Sequence, residues 1–382
     1  MRTITRLSAA TIAAAAVLAG ASGSASAFGG PPHRFPFGGE AGQPVFVQTD
    51  NLAGNQVVAY DRAGNGTLTQ AGVYSTGGLG GALEGSVVDH LASQGSLAYD
   101  AADGLLYAVN AGSNTISVFA VFGDHLALRQ VLSSGGSFPV SITVRGDVVY
   151  VLNAEDGGSV QGYVAAFGHL LPIPGSARAL GLNPTASPQF TNTPGQLAFS
   201  PDGSKLIVTT KANGSDIDVF RVFGFGQLSQ TPVVNSEPGT VPFAVTFDQE
   251  GNLVVAEAAG ALASFRLNRD GTVTLLDAVE TNQAATCWVA AAGSRFYASN
   301  AGSASLSGFQ SGFDGALTLL GDTPTDAGTV DAAVSGDARF IYVQTGAAGI
   351  VDEFAIGAQG ALSEIGTVTV PGAIGGEGIV AG

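Results

Sequence analysis

Tyr107-Ala-Val-Asn110, Tyr150-Val-Leu-Asn153 and Tyr297-Ala-Ser-Asn300 are one strand written three times. Looser spellings of it are Phe46-Val-Gln-Thr49, Ile207-Val-Thr-Thr210, Val254-Val-Ala-Glu257 and Tyr342-Val-Gln-Thr345. About ten residues beyond each of these seven copies stands an aromatic: Tyr60, Phe119, Tyr163, Phe220, Phe265, Phe309 and Phe354. A turn precedes the marker strand, as in Asp103-Gly104, Pro201-Asp202-Gly203 and Glu250-Gly251. A glycine hairpin follows the aromatic, as in Asp270-Gly271, Asp314-Gly315 and Gln359-Gly360. The period of about 43–47 residues is that of four short strands, one propeller blade.

An apolar strand stands ahead of the marker in six copies, from Gly95-Ser-Leu-Ala-Tyr99 to Asp331-Ala-Ala-Val-Ser335. The seventh, Glu377-Gly-Ile-Val-Ala381, lies at the end of the chain, while the first blade, from Pro44, has none of its own. The sequence therefore predicts an all-β, seven-bladed β-propeller over 44–382, with four-stranded blades. The C-terminal strand (about 376–381) should complete the first blade and close the ring, which removes exposed sheet edges. Two longer intervals predict insertions at about 77–93 and 176–193, and no amphipathic helix of useful length is legible.

The chain begins with Arg2 and Arg6, an apolar run from Leu7 to Gly20, then Ala25-Ser26-Ala27. That order is a secretory signal peptide, expected over 1–27. The run is shorter than the roughly 20 residues of a spanning helix. Residues 28–43, rich in glycine and proline, read as a flexible lead-in. The mature protein is expected to be secreted, to act as a monomer and not to insert in membranes. Its formal charge of −16, about −18 without the signal's two arginines, disfavours nucleic acid as a partner. The single cysteine, Cys287, cannot form an internal disulfide. In its apolar strand it is expected to be buried and inert.

In a four-stranded blade, the starts of first strands and the ends of second strands lie on one face, here called upper. First-strand starts contribute Ser96, Ser141, Gln196, Trp288, Asp331 and Glu377. The second-strand ends and their loops contribute Asn110, Asn153, Lys211, Glu257 and Asn300. Together they form a candidate pocket of polar groups around the axis. Asparagine also caps strand ends by bonding nearby backbone, and that plainer role competes at each position. Asp331 and Glu377 begin first strands of adjacent blades, where burial could separate their pKa values for acid–base work. No spacing is diagnostic of a metal site, and no cofactor is implied. Nucleophile-elbow, His-Glu-x-x-His and phosphate-loop signatures are absent.

Thr193-Pro-Gly-Gln-Leu-Ala-Phe-Ser-Pro-Asp-Gly203 and Val149-Tyr-Val-Leu-Asn153 resemble the lactonase family of seven-bladed propellers, typified by 6-phosphogluconolactonase, and the related Tyr-Val-Thr-Asn-repeat propellers. The resemblance covers the chain from Pro44. It implies hydrolysis of a sugar lactone, with water attacking the ring carbonyl. Family members typically carry Pro-Arg-His where this chain has Pro194-Gly195-Gln196. Glutamine can hydrogen-bond a substrate but cannot take a proton near neutral pH. The upper loops hold Lys211 and Arg178 as cations against Glu84, Asp89, Glu155, Asp156, Glu257, Asp331 and Glu377. Phosphate recognition needs clustered cations, so a small neutral or cationic ligand is expected.

Two functions follow. One is a lactonase-like hydrolase of a non-phosphorylated lactone, with Glu377 or Asp331 as general base and Gln196 or the asparagines orienting the carbonyl. The other is a non-catalytic propeller binding a ligand, glycan or protein on its upper face. A narrow dry channel with Glu377 and Asp331 buried would favour chemistry. A filled channel under a broad flat face would favour binding.

Overall fold

Runs such as Leu105–Asn110 and Phe340–Thr345 are apolar or aromatic on both faces, which suits a strand covered by a neighbouring sheet on each side. The computed structural model, which describes residues 43–382, places every marker strand in that position. Seven antiparallel sheets contain Val45–Ser75 (blade 1), Leu97–Ser133 (blade 2), Pro139–Ala179 (blade 3), Leu197–Ser236 (blade 4), Pro242–Glu280 (blade 5), Thr286–Pro324 (blade 6) and Thr329–Thr369 (blade 7). The predicted signal peptide and nearly all of the lead-in lie outside the described residues.

Closure occurs as the repeat requires. Ile379–Ala381 joins blade 1 as its first strand, pairing Ile379 with Val47, Val380 with Phe46 and Ala381 with Val45. The seven first strands touch one another in ring order and so line the axis. Burial falls outward from there. The second strand Leu105–Asn110 is buried throughout, whereas the fourth strand His125–Ser133 is half exposed.

Much of the core lies between blades. Phe46, Val57 and Ala59 of blade 1 pack on Leu97, Leu106 and Phe119 of blade 2, and blades 6 and 7 repeat the arrangement around Ile341 and Phe354. Marker tyrosines also tie blade to blade. The hydroxyls of Tyr150, Tyr297 and Tyr342 donate to the carbonyls of Gly226, Gly360 and Gly66, each in the next blade's hairpin. Gly66 needs to be glycine twice over. Its φ is +96°, and a Cβ there would overlap the Phe340 ring, so an L side chain would be both strained and crowded.

The insertions differ in form. The second adds a short fifth strand to blade 3 (Arg178–Ala179) and one helical turn, Gln189–Asn192. The first, between Ser75 and Leu97, has no regular structure. Its last part turns into the axis and decides what the upper mouth can do.

Candidate functional site

The first strand of each blade presents backbone and side chains to the axis, so the mouth must be hydrated or filled by other polar groups. Here the segment Asp89–Gly95 fills it. Gln94 spans to blade 6, donating from Nε2 to Val289 O (2.9 Å) and accepting at Oε1 from Val289 N (2.9 Å). The Trp288 indole N–H donates to Ser93 O at 2.6 Å. Ser93 Oγ reaches Val140 O, and Ser141 Oγ reaches Gln94 O. Lys211 Nζ donates to Ala92 O (2.6 Å) in this segment, and to Phe190 O (2.7 Å) and Thr193 Oγ1 (3.2 Å) in the second insertion. One lysine thus pins both insertions.

Gly195 explains a departure from the lactonase pattern. Gln94 N donates to its carbonyl, and a Cβ on residue 195 would collide with the Phe243 carbonyl oxygen. The arginine expected from the resemblance has no room on this backbone. Gln196, in place of the histidine, accepts at Oε1 from Val245 N at 2.6 Å and links blade 4 to blade 5.

Beneath the segment lies a cluster of buried acids. Glu377 Oε1 accepts from Gly95 N (2.8 Å), and the Glu377 backbone N–H donates to Asp50 Oδ2 (2.8 Å). Ser96 Oγ donates to the Glu377 carbonyl. Asp331 accepts from the backbone N–H groups of Ala332 and Ile379. The Asp331 and Glu377 carboxyls lie close enough to share a proton. Without that proton, Glu377 Oε2 has no partner among the described residues. Asp89 accepts from Leu91 N and Ser93 N, which shapes the segment's turn.

Burial in low dielectric disfavours the charged form of each group. It pushes Asp50 and Asp331 up to about 7 and Asp89 up to about 6. Glu377 is also raised well above the ordinary carboxylate range: desolvation comes first, then the negative charges of Asp331, Asp89 and Asp50. Desolvation brings Lys211 down to about 7, against the pull of Asp89. At neutral pH the cluster therefore holds both ionised and protonated carboxyls.

A cavity of about 430 Å³ opens beside this cluster. Asp89, Ala92, Phe190, Lys211, Phe243 and Trp288 are among its walls. Asp89 is the cluster member on that wall. Trp288 and Phe243 pack with ring centroids 4.9 Å apart and planes tilted by 58°, and the Lys211 ammonium lies 5.2 Å from the Phe243 ring centre. Cys287 also borders the cavity, its thiol buried and pushed up to about 12 by desolvation, so it stays a neutral thiol.

The sequence-derived candidates separate into two sets. Glu377, Asp331, Ser96, Ser141, Gln196, Trp288 and Lys211 gather around the axial segment. The asparagines bond within their blade or to the one before it. Asn110 donates to Ser117 and accepts from Asn55; Asn300 donates to Ser305 and Ser307 and accepts from Thr286. Asn153 donates to Ser134 O. Glu257 sits in blade 5 near Glu237 and Glu280, raised to about 7 chiefly by burial. Asp50 was not singled out from the sequence. Its signal was present, because it follows the first marker strand directly, but an acid after Thr49 looks like any turn residue. Among the described residues no cluster of three or more His, Cys, Asp or Glu side chains is placed to hold a metal ion.

The class this architecture defines is the seven-bladed β-propeller, and its structural neighbours include lactonase-type propellers. The Pseudomonas aeruginosa periplasmic gluconolactonase superposes with a TM-score of 0.72 at 16% identity, over 89% of this chain and 98% of that one. A Bacteroides uniformis protein provisionally assigned as a 6-phosphogluconolactonase gives 0.73 at 16%, over 90% and 100%. A Lactobacillus plantarum protein gives 0.71 at 22%, over 89% and 99%. At these identities the likeness is one of fold. No protein-family profile and no curated protein matches the sequence.

Proposed function

We propose that this protein is an exported lactonase-type hydrolase acting on an uncharged, non-phosphorylated lactone at the upper mouth of the propeller. One observation carries the reading: Asp89, raised to about 6, stands on the wall of the cavity and its charge is felt by the buried acids Asp331 and Glu377. A general base is most effective when its pKa lies near the working pH. Carboxyls whose pKa values are driven apart divide into proton acceptor and proton holder.

In this scheme a water gives a proton to Asp89 as its oxygen attacks the lactone carbonyl carbon. The ring C–O bond then breaks, the proton passes to the departing ring oxygen, and a hydroxy acid leaves. Asp331 and Glu377 act behind Asp89 as a pair that holds a proton and sets its charge. Lys211, whose three N–H groups are already taken by protein acceptors, acts on the carbonyl oxygen through its charge alone and donates no hydrogen bond to it. Two supports come from outside the site. The signal-like N-terminus fits export, and the fold is shared with a periplasmic gluconolactonase.

Phosphate is a poor fit. Lys211 has three protein acceptors, and Arg178 gives its donors to the carbonyls of Ser229, Leu228, Gly175 and Ala177. Neither cation is free for a phosphoryl group.

A second reading has its own observation. Gln94, Gln196 and Trp288 spend their hydrogen bonds within the protein and fill the mouth, as in a propeller that binds without chemistry. A pH-stat assay of the mature protein on sugar and aliphatic lactones separates the two. Turnover of a neutral lactone, with none of 6-phosphogluconolactone, is expected. No turnover above background on any lactone would leave the binding reading.

A further inference from the structure

The cavity beside the acids is unlike the mouth of a sugar-binding site. A polyhydroxylated ligand needs donors and acceptors that are not already used, because each buried hydroxyl left unpaired costs about 1–3 kcal/mol. Val88, Ala92, Phe190, Val241, Phe243 and Trp288 present carbon surface to the cavity. The few polar groups on its walls are occupied. Lys211 donates to three protein acceptors, and both Asp89 oxygens accept backbone N–H groups. The Trp288 indole N–H is taken by Ser93 O. The Cys287 thiol stays neutral. At about 430 Å³ the space falls within the ~300–1,000 Å³ of small-molecule sites.

We infer that this cavity receives an alkyl or aryl substituent, so that the ligand is an uncharged lactone carrying an apolar chain rather than a sugar lactone. The inference rests on the proposed site, but binding and turnover can be read apart. The lactone ring would lie at the Asp89–Lys211 edge and the chain would run toward Phe243 and Trp288. Each methylene taken from water gains about 0.8 kcal/mol, three- to fourfold in affinity.

Trp288 is the sole tryptophan and borders the cavity, so its emission is a direct reporter. The test titrates mature protein with γ-valerolactone, γ-octalactone and γ-decalactone, and with glucono-δ-lactone. Affinity is expected to rise about threefold per methylene along the alkyl series, with no response to glucono-δ-lactone at the same concentrations. Ala258→Phe fills the cavity from blade 5 and should abolish the chain-length gain. Ala301→Leu does so from blade 6 with a smaller group, should the larger side chain unfold the protein. Glucono-δ-lactone binding as tightly as γ-decalactone, or affinity independent of chain length, would overturn the inference. Chain-dependent binding without turnover would uphold it and defeat the hydrolase reading instead. Turnover of glucono-δ-lactone with no chain dependence would do the reverse.

Discussion

The starts of the first strands and the ends of the second strands look alike in sequence: both are polar positions that bound apolar runs on the same face. The structure treats them oppositely. At the second-strand ends, Asn300 is satisfied on both sides of its amide by Ser305, Ser307 and Thr286. At the first-strand starts, the buried Asp331 and Glu377 carboxyls interact with one another, and Glu377 Oε2 has no hydrogen-bond partner among the described residues. In the second-strand row, Asn300 spends its polarity on the fold. In the first-strand row, the acid pair keeps a buried carboxyl oxygen without a partner, and a buried acid of that kind lowers stability at neutral pH.

The contrast can be broken most forcefully from the first row. Asp331→Asn should lower turnover of a neutral lactone through its effect on Asp89, by less than the ~10²–10⁴-fold expected for removing the base Asp89 itself. It should also displace the acidic limb of the pH–rate profile, which a purely structural change would not do. Equal kcat and an unmoved limb would return Asp331 to the scaffold.

Asn300→Ala tests the second row. It removes one partner each from Thr286, Ser305 and Ser307, which keep contacts to Thr281, Gln283 and Asp322, and should cost about 1–3 kcal/mol in urea unfolding. The folded fraction should keep its kcat. Loss of kcat without loss of stability would place Asn300 in the site after all.

Gly195→Ala probes the junction of the two rows. Its Cβ meets the Phe243 carbonyl, so a loss of about 1–3 kcal/mol is expected from overpacking. An alanine variant as stable as the parent would show that the blade can move aside there.

The gentlest probe is pH. Asp50, Asp89, Asp331 and Glu377 all have higher pKa values folded than unfolded. The unfolded chain therefore releases these protons first. Their contribution is fully present below about pH 4 and is lost as pH rises through about 6 to 7. Each costs up to about 1.4 kcal/mol per pH unit while it titrates. Lys211 has the opposite sign. Its folded value is lowered to about 7, so its contribution grows as pH rises above that. Thermal scans should show a fall in Tm from pH 5 to pH 7.5, then a shallow recovery. A Tm that rises steadily across pH 5 to 7.5 would mean that the cluster is not held protonated.

The ring was legible because it is repeated. Seven marker strands, seven aromatics and a first strand displaced to Glu377–Ala381 leave one closed arrangement, and Ile379–Ala381 pairs with Val45–Val47 accordingly. The adjacency of Asp331 and Glu377 was legible for the same reason, because equivalent positions of neighbouring blades meet at the axis. The segment Asp89–Gly95 was not. It belongs to an insertion with no copy elsewhere, so no period fixes its path. Gln94 and Ser93 are ordinary polar residues until they meet Val289 and Trp288, 195 positions away in sequence. The cavity was hidden too, since Phe190 and Val88 come from separate insertions.

The measurement that bears most directly on the account is a paired one on Glu377→Gln at pH 8: lactone turnover and urea stability on the same preparation. Gln can keep the contact with Gly95 N through Oε1 and can donate its amide to Asp331, with no proton to lose. Turnover is expected to collapse while stability rises, because no buried acid has to be kept neutral at that pH. A variant that keeps its turnover and loses stability would show that the buried acids serve the fold alone.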